Sequence, residues 1–97
     1  MLPTLEELEA AAKEVHAVIA PTLQYNWPLL AQRCGCEVWV KHENHTPIGA
    51  FKVRGGITFM RDYAENGDGA GLITATRGNH GQSIGFAARA AGVEATI

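Results

Sequence analysis

No long hydrophobic run and no block of like charge occurs in this sequence. Its 97 residues carry eight basic and ten acidic side chains, scattered along the chain, which give a formal net charge of -2. No segment approaches the roughly 18 consecutive apolar residues that a membrane-spanning helix requires, and residues 1–10 are acidic, unlike a secretory leader. We therefore expect a cytoplasmic protein that binds small molecules and binds neither nucleic acid nor a membrane.

Cysteine is also scarce. The two cysteines, Cys34 and Cys36, are separated by one glycine, a spacing that rarely suits a disulfide and differs from that of redox motifs. We expect both to be packing residues. Although His42 and His45 lie nearby, the strand predicted between the two pairs points alternate residues to opposite faces, and the spacing fits no familiar zinc finger. We therefore predict no metal site.

Two common phosphate-binding motifs are absent as well. The chain has neither a loop ending in Gly-Lys-Ser/Thr nor a Gly-x-Gly-x-x-Gly turn, which argues against a generic nucleotide-binding domain. What the chain does contain is 46% hydrophobic and 19% charged residues. That composition and length are sufficient for one small domain with a hydrophobic core, although not for two.

Hydrophobic periodicity predicts the order of the secondary structure. Apolar residues recur at helical spacing in three segments, of which the first opens with the capping-box pair Thr4 and Glu7 and the second begins at or near Lys52. Short apolar or alternating segments between them indicate strands. The predicted helices cover residues 4–20, 52–66 and 80–91, with a short helical piece at 29–33 inside an extended connector, and the predicted strands cover residues 37–43, 71–75 and 93–97.

Alternation of strand and helix with short connections predicts an α/β fold with a three-layer open parallel sheet and right-handed crossovers. In open parallel sheets, ligands bind beyond the carboxyl ends of the strands, where helix N-termini present free N–H groups. Two segments occupy that position here, residues 41–55 after the first strand and residues 76–82 after the second. We expect the functional site in these two segments.

Both segments resemble motifs of a known enzyme family. Lys-x-Glu-Asn at 41–44, followed by Pro-x-Gly-x-Phe-Lys-x-Arg-Gly at 47–55, is similar to the lysine motif of fold-type II pyridoxal-phosphate (PLP) enzymes. Thr-Arg-Gly-Asn-His-Gly-Gln at 76–82 resembles the asparagine loop of that family, normally Ser-x-Gly-Asn-His-x-Gln. In this order and at this separation, the two motifs make the chain similar to the N-terminal portion of a threonine/serine dehydratase (ammonia-lyase), with a partial tryptophan synthase β-subunit-like fold.

The resemblance implies roles for individual residues. Lys52 would be the catalytic residue and would carry PLP as a Schiff base, Phe51 would pack along the pyridine ring, and Asn79 would hydrogen-bond the ring hydroxyl. From the residues alone, partial burial beside Phe51, the positive end of a helix and the charge of Arg54 would favour the neutral amine that attacks an aldehyde, but an ordinary surface lysine fits equally. The residues expected to bind the substrate are Thr76, Arg77, Gly78, Asn79 and His80.

Structural roles are open for several of the same residues. Phe51 is also compatible with the hydrophobic core, and Asn79 with a helix cap. His80 is compatible with capping or packing, and Arg77 with an exposed position in solvent.

The resemblance also implies an activity, namely β-elimination from a hydroxy-amino acid to give a keto acid and ammonia. The residue before Gly78 is usually Ala in the dehydratases and Ser, the opposite-face base, in the related serine racemases. Here it is Arg77, which cannot act as that base. Racemisation is therefore disfavoured, and a second anionic group on the substrate becomes conceivable. The alternatives are an amino-acid racemase or β-replacement enzyme of the same fold, or a non-catalytic interaction fragment.

We expect residues 1–97 to form the N-terminal portion of such a lyase, because the family's glycine-rich phosphate cup and most of its large domain would follow Ile97. Residues 1–97 alone should then be inactive, since the phosphate of PLP has no cradle. In the full-length form we expect a homo-oligomer that uses PLP and acts on a small amino-acid substrate.

Overall fold

The computed structural model describes residues 2–97. Among these residues no helix is both long and apolar enough to span a bilayer. Residues 2–97 fold into four α-helices, four short strands and a 3-10 turn. In chain order these are α1 (Leu5–Val18), β1 (Gln24–Asn26), α2 (Pro28–Cys34), β2 (Trp39–Lys41), the 3-10 turn (Glu43–His45), α3 (Val53–Asn66), β3 (Leu72–Ile73), α4 (Asn79–Ala91) and β4 (Ala95–Thr96).

Helix α1 begins where the capping-box pattern predicts. The backbone N–H of Thr4 donates to Glu7 Oε2 at 2.7 Å, and the backbone N–H of Glu7 donates to Thr4 Oγ1 at 3.2 Å. Two N–H groups that lack intrahelical acceptors are thereby satisfied. The helix ends at Val18, and the extended backbone of Ile19 leads away from it.

The hydrophobic core surrounds α3. One side of α3 presents Val53 and Ile57, which cluster with Val15 and Ile19 from α1 and its C-terminus. Another side presents Met60, which forms a buried cluster with Ala87 and Ala88 of α4. The partly buried residues that pack against this cluster are Tyr63, Leu72, Val93 and Ala95. Helix α3 therefore connects the N-terminal helix to the β3-α4-β4 unit.

A close approach between α3 and α4 occurs at Gly56. A Cβ atom placed on Gly56 would lie 2.2 Å from Ser83 Oγ and 2.9 Å from the Ser83 carbonyl oxygen. These distances are far shorter than van der Waals contact, so a side chain at position 56 would force the two helices apart. The absence of a side chain at Gly56 thus sets the distance between the helices that begin at the two predicted motifs.

The prediction of one parallel three-stranded sheet is wrong for the described residues. β3 and β4 do pair in parallel, with Leu72 opposite Ala95, and α4 is the crossover between them. β2 instead pairs antiparallel with β1, which lies inside the predicted connector, with Tyr25 opposite Val40. The hydrophobic pattern locates strands but does not encode their partners, and the nearby segment 24–26 supplies the backbone donors and acceptors that β2 requires.

The expectation that both cysteines pack in the core is also wrong. Cys34 and Cys36 are exposed and are not joined by a disulfide. Cys34 is the last residue of α2, a helix without any buried residue, and the chain then turns through Gly35 in a left-handed conformation, with φ of 70°. Because no residue of α2 is buried, the cysteine at its C-terminus remains in contact with solvent.

Met60 gives a test of the role of α3 in the core. Its side chain is 2% exposed, so Met60→Ala should reduce the free energy of unfolding by about 2–5 kcal/mol through lost burial and an unfilled cavity. The matched control is Leu8→Ala on α1, where the side chain is 53% exposed and the expected loss is below about 0.5 kcal/mol. Urea denaturation followed by circular dichroism measures both, and equal losses would contradict the assigned core.

Candidate functional site

A groove lies between the N-terminal turns of α3 and α4 and the carboxyl end of β3. Lys52 stands at one side of the groove, and His80, the second residue of α4, contributes to another. Most of the remaining wall is apolar or is bare glycine backbone. The lining residues are Lys52, Gly55, Gly56, Phe59, Leu72, Ile73, Thr74, His80 and Ile84. The two predicted motifs thus each supply a residue to one groove, at the end of a parallel strand.

Lys52 caps the N-terminus of α3, as the sequence predicted. Its side chain is exposed, and its Nζ atom lies 5.7 Å from the centre of the Phe51 ring. The expectation of partial burial is therefore wrong for the described residues. Phe51 is itself 61% exposed, which excludes a core position in this structure and leaves a face of the ring free for other contacts.

The backbone of Lys52 is held more firmly than its side chain. The carbonyl oxygen accepts a hydrogen bond from Ser83 Oγ of α4 at 2.6 Å. It also accepts the backbone N–H of Gly56 at 3.2 Å, the first hydrogen bond of the α3 ladder. An amine on a four-carbon stem thus projects from an anchored backbone position.

The turn before Lys52 is shaped by Thr46. Its hydroxyl donates to the Ala50 carbonyl at 2.8 Å and accepts the Ala50 N–H at 3.0 Å, and both residues are buried. Gly49 adopts φ of 69°, a left-handed conformation that favours glycine, and its N–H donates to the Thr46 carbonyl at 2.9 Å. The Pro-x-Gly part of the motif is therefore a compact turn that delivers Phe51 and Lys52 to the start of α3.

Glu43 and Arg54 form a bidentate ion pair that joins the 3-10 turn to α3. Arg54 Nε lies 2.7 Å from Glu43 Oε2, and Arg54 Nη2 lies 2.9 Å from Oε1. The hydroxyl of Thr22 donates to the same carboxylate, and Lys41 Nζ lies 3.6 Å from it. Planar two-point pairing of this kind restricts geometry as well as adding energy. It holds the first turn of α3 two residues beyond Lys52.

This pairing alters the titration of both partners. Hydrogen bonds from Arg54 lower the pKa of Glu43 from its ordinary value of 4.5 to about 2, against the opposing effect of burial and with smaller help from Thr22 and Lys41. The hydrogen bonds with Glu43 raise the pKa of Arg54. Because the Arg54 charge is matched by Glu43, the predicted action of Arg54 as a free cation on Lys52 is not supported.

The sequence motif contains both Glu43 and Arg54, but it does not predict that the two side chains form an ion pair. The signal available was their opposite charge within one motif, with a turn between them. Since many charges in loops remain solvated, that signal identifies a pair only when the path of the intervening chain is known.

The hydroxyl of Thr76 organises the second motif. Thr76 Oγ1 accepts the backbone N–H of Gly78 at 3.0 Å and that of Gly81 at 3.1 Å. Gly78 has φ of 143° and ψ of -90°, a conformation open to glycine and strained for other residues. A hydroxyl at position 76 and a glycine at 78 are thus both required for this entry into α4.

The remaining predicted residues follow that turn. Asn79 is the first residue of α4, and the capping residue is Gly78 without a side-chain bond, so the alternative of Asn79 as a helix cap is wrong. Arg77, Asn79 and His80 are all exposed. His80 lines the groove together with Lys52, whereas Phe51, Thr76, Arg77, Gly78 and Asn79 do not belong to its lining.

Comparison with known proteins gives consistent matches. A family model described as pyridoxal-phosphate dependent enzyme matches residues 15–97. The chain is 30% identical over 92 residues to the biosynthetic L-threonine dehydratase of Corynebacterium glutamicum, which covers 94% of this chain and 21% of that protein. It is 32% identical over 94 residues to the L-threonine ammonia-lyase of Thermotoga maritima, which covers 97% of this chain and 23% of that protein.

A third relative is named for a different substrate. The chain is 29% identical over 97 residues to the L-threo-3-hydroxyaspartate ammonia-lyase of Saccharomyces cerevisiae, covering 100% of this chain and 30% of that protein. The chain therefore spans less than a third of the length of each of these three relatives.

The Glu43–Arg54 pair predicts a pH dependence of stability. Since the pKa of Glu43 is lowered from 4.5 to about 2, its ionised carboxylate stabilises the folded chain above pH 4.5, and that contribution is lost as the pH falls towards 2. We expect Glu43→Gln to lower the free energy of unfolding at pH 7 by about 1–3 kcal/mol, the upper end being reduced by solvent around the pair.

Urea denaturation at pH 7 and pH 3 measures the effect. Glu43→Gln should lose less stability on acidification than the unchanged chain, whereas the control Glu9→Gln, at an exposed position of α1, should follow the unchanged chain at both pH values. If Glu43→Gln and the unchanged chain lose equal stability between pH 7 and pH 3, the ion pair does not stabilise the fold.

Proposed function

The chain belongs to the pyridoxal-phosphate-dependent enzyme family, and from this premise we propose that it forms part of a threonine/serine dehydratase-like ammonia-lyase. The proposed reaction is β-elimination from a hydroxy-amino acid, with release of a keto acid and ammonia. The observation that carries the proposal is the position of Lys52, an exposed amine on an anchored backbone beside an open, largely apolar groove. The names of the relatives, threonine dehydratase and threonine ammonia-lyase, support the reaction class.

The residues around Lys52 fit the cofactor of this family. PLP presents an aldehyde, a flat aromatic ring and a phosphate. Lys52 supplies a free amine for the aldehyde, and the apolar groove and the exposed ring of Phe51 are suited to contact the flat ring. Lys52 would therefore hold the cofactor, with Phe51 against its ring and the amide of Asn79 directed to the ring hydroxyl. Bound PLP withdraws electrons from the α-carbon of an attached amino acid, which acidifies the α-proton.

Lys52 would then have a second task in the proposed reaction. Lys52 is the lysine in the lining of the groove, and we assign its amine the removal of the α-proton of the substrate. Such a transfer requires a base that moves over a short range while its attachment stays in place. A long side chain on a backbone carbonyl held at 2.6 Å by α4 meets both requirements.

The substrate carboxylate is assigned to the start of α4. The first N–H groups of a helix have no intrahelical acceptor, and here they belong to Asn79 and His80. The N–H groups of Gly78 and Gly81 are occupied by the Thr76 hydroxyl. Thr76 would thus orient the turn, while the Asn79 and His80 backbone and the positive end of the helix would bind the anion.

Lys52→Ala in the longest natural form of the chain tests the cofactor assignment. The near-visible absorbance of the lysine-bound cofactor should vanish and activity should fall by several orders of magnitude, because the same amine holds the cofactor and moves the proton. Far-UV circular dichroism should be unchanged, since the side chain is exposed and Ala is a good helix former.

The control is Lys41→Ala, a lysine of the same motif. Retention of the absorbance in Lys52→Ala with loss in Lys41→Ala would mean that the motif is misaligned, and absence of any such absorbance in the unchanged protein would favour a non-catalytic module.

Arg77 bears on the choice of substrate. Its exposed guanidinium follows Thr76 in the turn proposed to bind the substrate, and a guanidinium can grip a second carboxylate at two points. The relative named for L-threo-3-hydroxyaspartate has such a substrate. We propose that Arg77 favours acidic hydroxy-amino acids over threonine.

In the full-length enzyme, Arg77→Ala should lower kcat/KM for L-threo-3-hydroxyaspartate by roughly 10- to 100-fold, because one charge-assisted contact is lost. The same substitution should change kcat/KM for L-threonine by less than about threefold. The matched control is Arg89→Ala, which removes an exposed arginine in the last turn of α4 and should alter neither value. Equal losses for both substrates in Arg77→Ala would assign Arg77 a general positional role.

A further inference from the structure

Ser83 is a buried polar residue outside both predicted motif segments. It lies on the second turn of α4 and is 1% exposed. Its hydroxyl donates to the backbone carbonyl of Lys52 at 2.6 Å, across 31 positions of sequence. A buried hydroxyl requires a hydrogen-bond partner. The partner of the Ser83 hydroxyl is the backbone of Lys52, the residue that is the reactive lysine in the proposed function.

Gly56 of α3 leaves room for the Ser83 side chain to form that bond. A Cβ atom on Gly56 would lie 2.2 Å from Ser83 Oγ, so the serine side chain occupies space that α3 leaves free by having glycine one turn after Lys52. The Gly56 N–H bonds the same carbonyl at a longer 3.2 Å. A carbonyl oxygen has two lone pairs, and here one accepts from the helix and the other from the serine.

The bond lies at the backbone position from which the Lys52 side chain extends. Lys52 is the capping residue of α3 and has no side-chain capping bond, so the first turn is held through its backbone. Helix ends fray unless they are tied by such contacts. Fixing the Lys52 carbonyl restricts the backbone dihedrals on both sides of the peptide, and these dihedrals set the path of the exposed side chain towards the groove.

We propose that Ser83 is a positioning residue, which holds the Lys52 carbonyl and so keeps the Lys52 amine aligned with the groove. This inference rests on the proposed function, because it concerns the amine that would hold the cofactor and move the α-proton. Preorganisation of a reacting group from a rigid element lowers the cost of reaching the reactive geometry. A serine that only filled space would contribute to stability and would leave the lysine chemistry unchanged.

The experiment compares Ser83→Ala with Thr58→Ala in the full-length enzyme. Thr58 is a matched control, because its hydroxyl also donates to a backbone carbonyl in the first turn of α3, that of Arg54 at 3.2 Å, two residues after Lys52. Ser83→Ala should lower kcat by roughly fivefold to tenfold, the effect of one lost hydrogen bond, with KM changed less than twofold. Thr58→Ala should leave both within about twofold.

Two readouts separate positioning from packing. In the cofactor-free protein, hydrogen exchange of the Gly56 amide should accelerate by roughly fivefold or more in Ser83→Ala, while that of Met60 in the core should change little. When PLP is added back to the cofactor-free protein, the rate at which the lysine-bound absorbance reappears should fall in Ser83→Ala and remain unchanged in Thr58→Ala.

The outcomes distinguish the two levels of the proposal. If Lys52→Ala retains the lysine-bound absorbance, the proposed function fails. If Lys52 is required but Ser83→Ala matches Thr58→Ala in kcat, Gly56 exchange and absorbance recovery, the positioning role of Ser83 is overturned by itself. Should Ser83→Ala fail to fold, Ser83→Cys replaces it, because a thiol has a similar shape but is too weak a donor to replace the hydroxyl bond to the Lys52 carbonyl. An unchanged kcat and unchanged Gly56 exchange in folded Ser83→Cys would likewise overturn the inference.

Discussion

Helix α3 packs against α4 without an intervening side chain at Gly56, and the rest of the structure depends on that contact. Ser83 of α4 fills the space in which a Cβ would stand. Below it, Met60 packs against the alanines of α4, and Val53 at the first turn is fully buried towards α1. Because α3 is enclosed on these sides, its N-terminus cannot shift without disturbing both core clusters. The backbone of Lys52 therefore has a defined position in the fold.

Polar contacts complete this placement from two directions. From α4, the Ser83 hydroxyl holds the Lys52 carbonyl. From the 3-10 turn, the Glu43 carboxylate grips Arg54 at two points and also accepts from Thr22. These contacts engage the backbone and the motif side chains, whereas the side chains of Lys52 and Phe51 remain exposed. In this candidate site the anchoring groups are therefore buried or paired, and the side chains proposed to contact ligands are exposed.

The local hydrophobic and capping patterns of the sequence predicted the positions of the helices and strands well, but they did not predict how the strands pair. The capping box, the start of α3 at Lys52 and the parallel strands around α4 all follow from interactions within a few residues or one crossover. The pairing of β2 with β1 did not follow, because β1 is a three-residue strand with no buried position and so lacks the alternation that marks a half-buried strand. Its partner is decided by which backbone edge is nearest in the folded chain.

The sequence by itself identified the candidate residues of the site and the enzyme family in which such motifs occur, since the lysine motif and the asparagine loop are contiguous patterns. It did not determine what holds them. Glu43 and Arg54 are separated by 11 positions and Ser83 and Lys52 by 31, and only the packing of α3 brings each pair together. The reason is physical: hydrogen bonds and ion pairs act over a few ångströms, and distances of that size between separate elements exist only after the helices have packed.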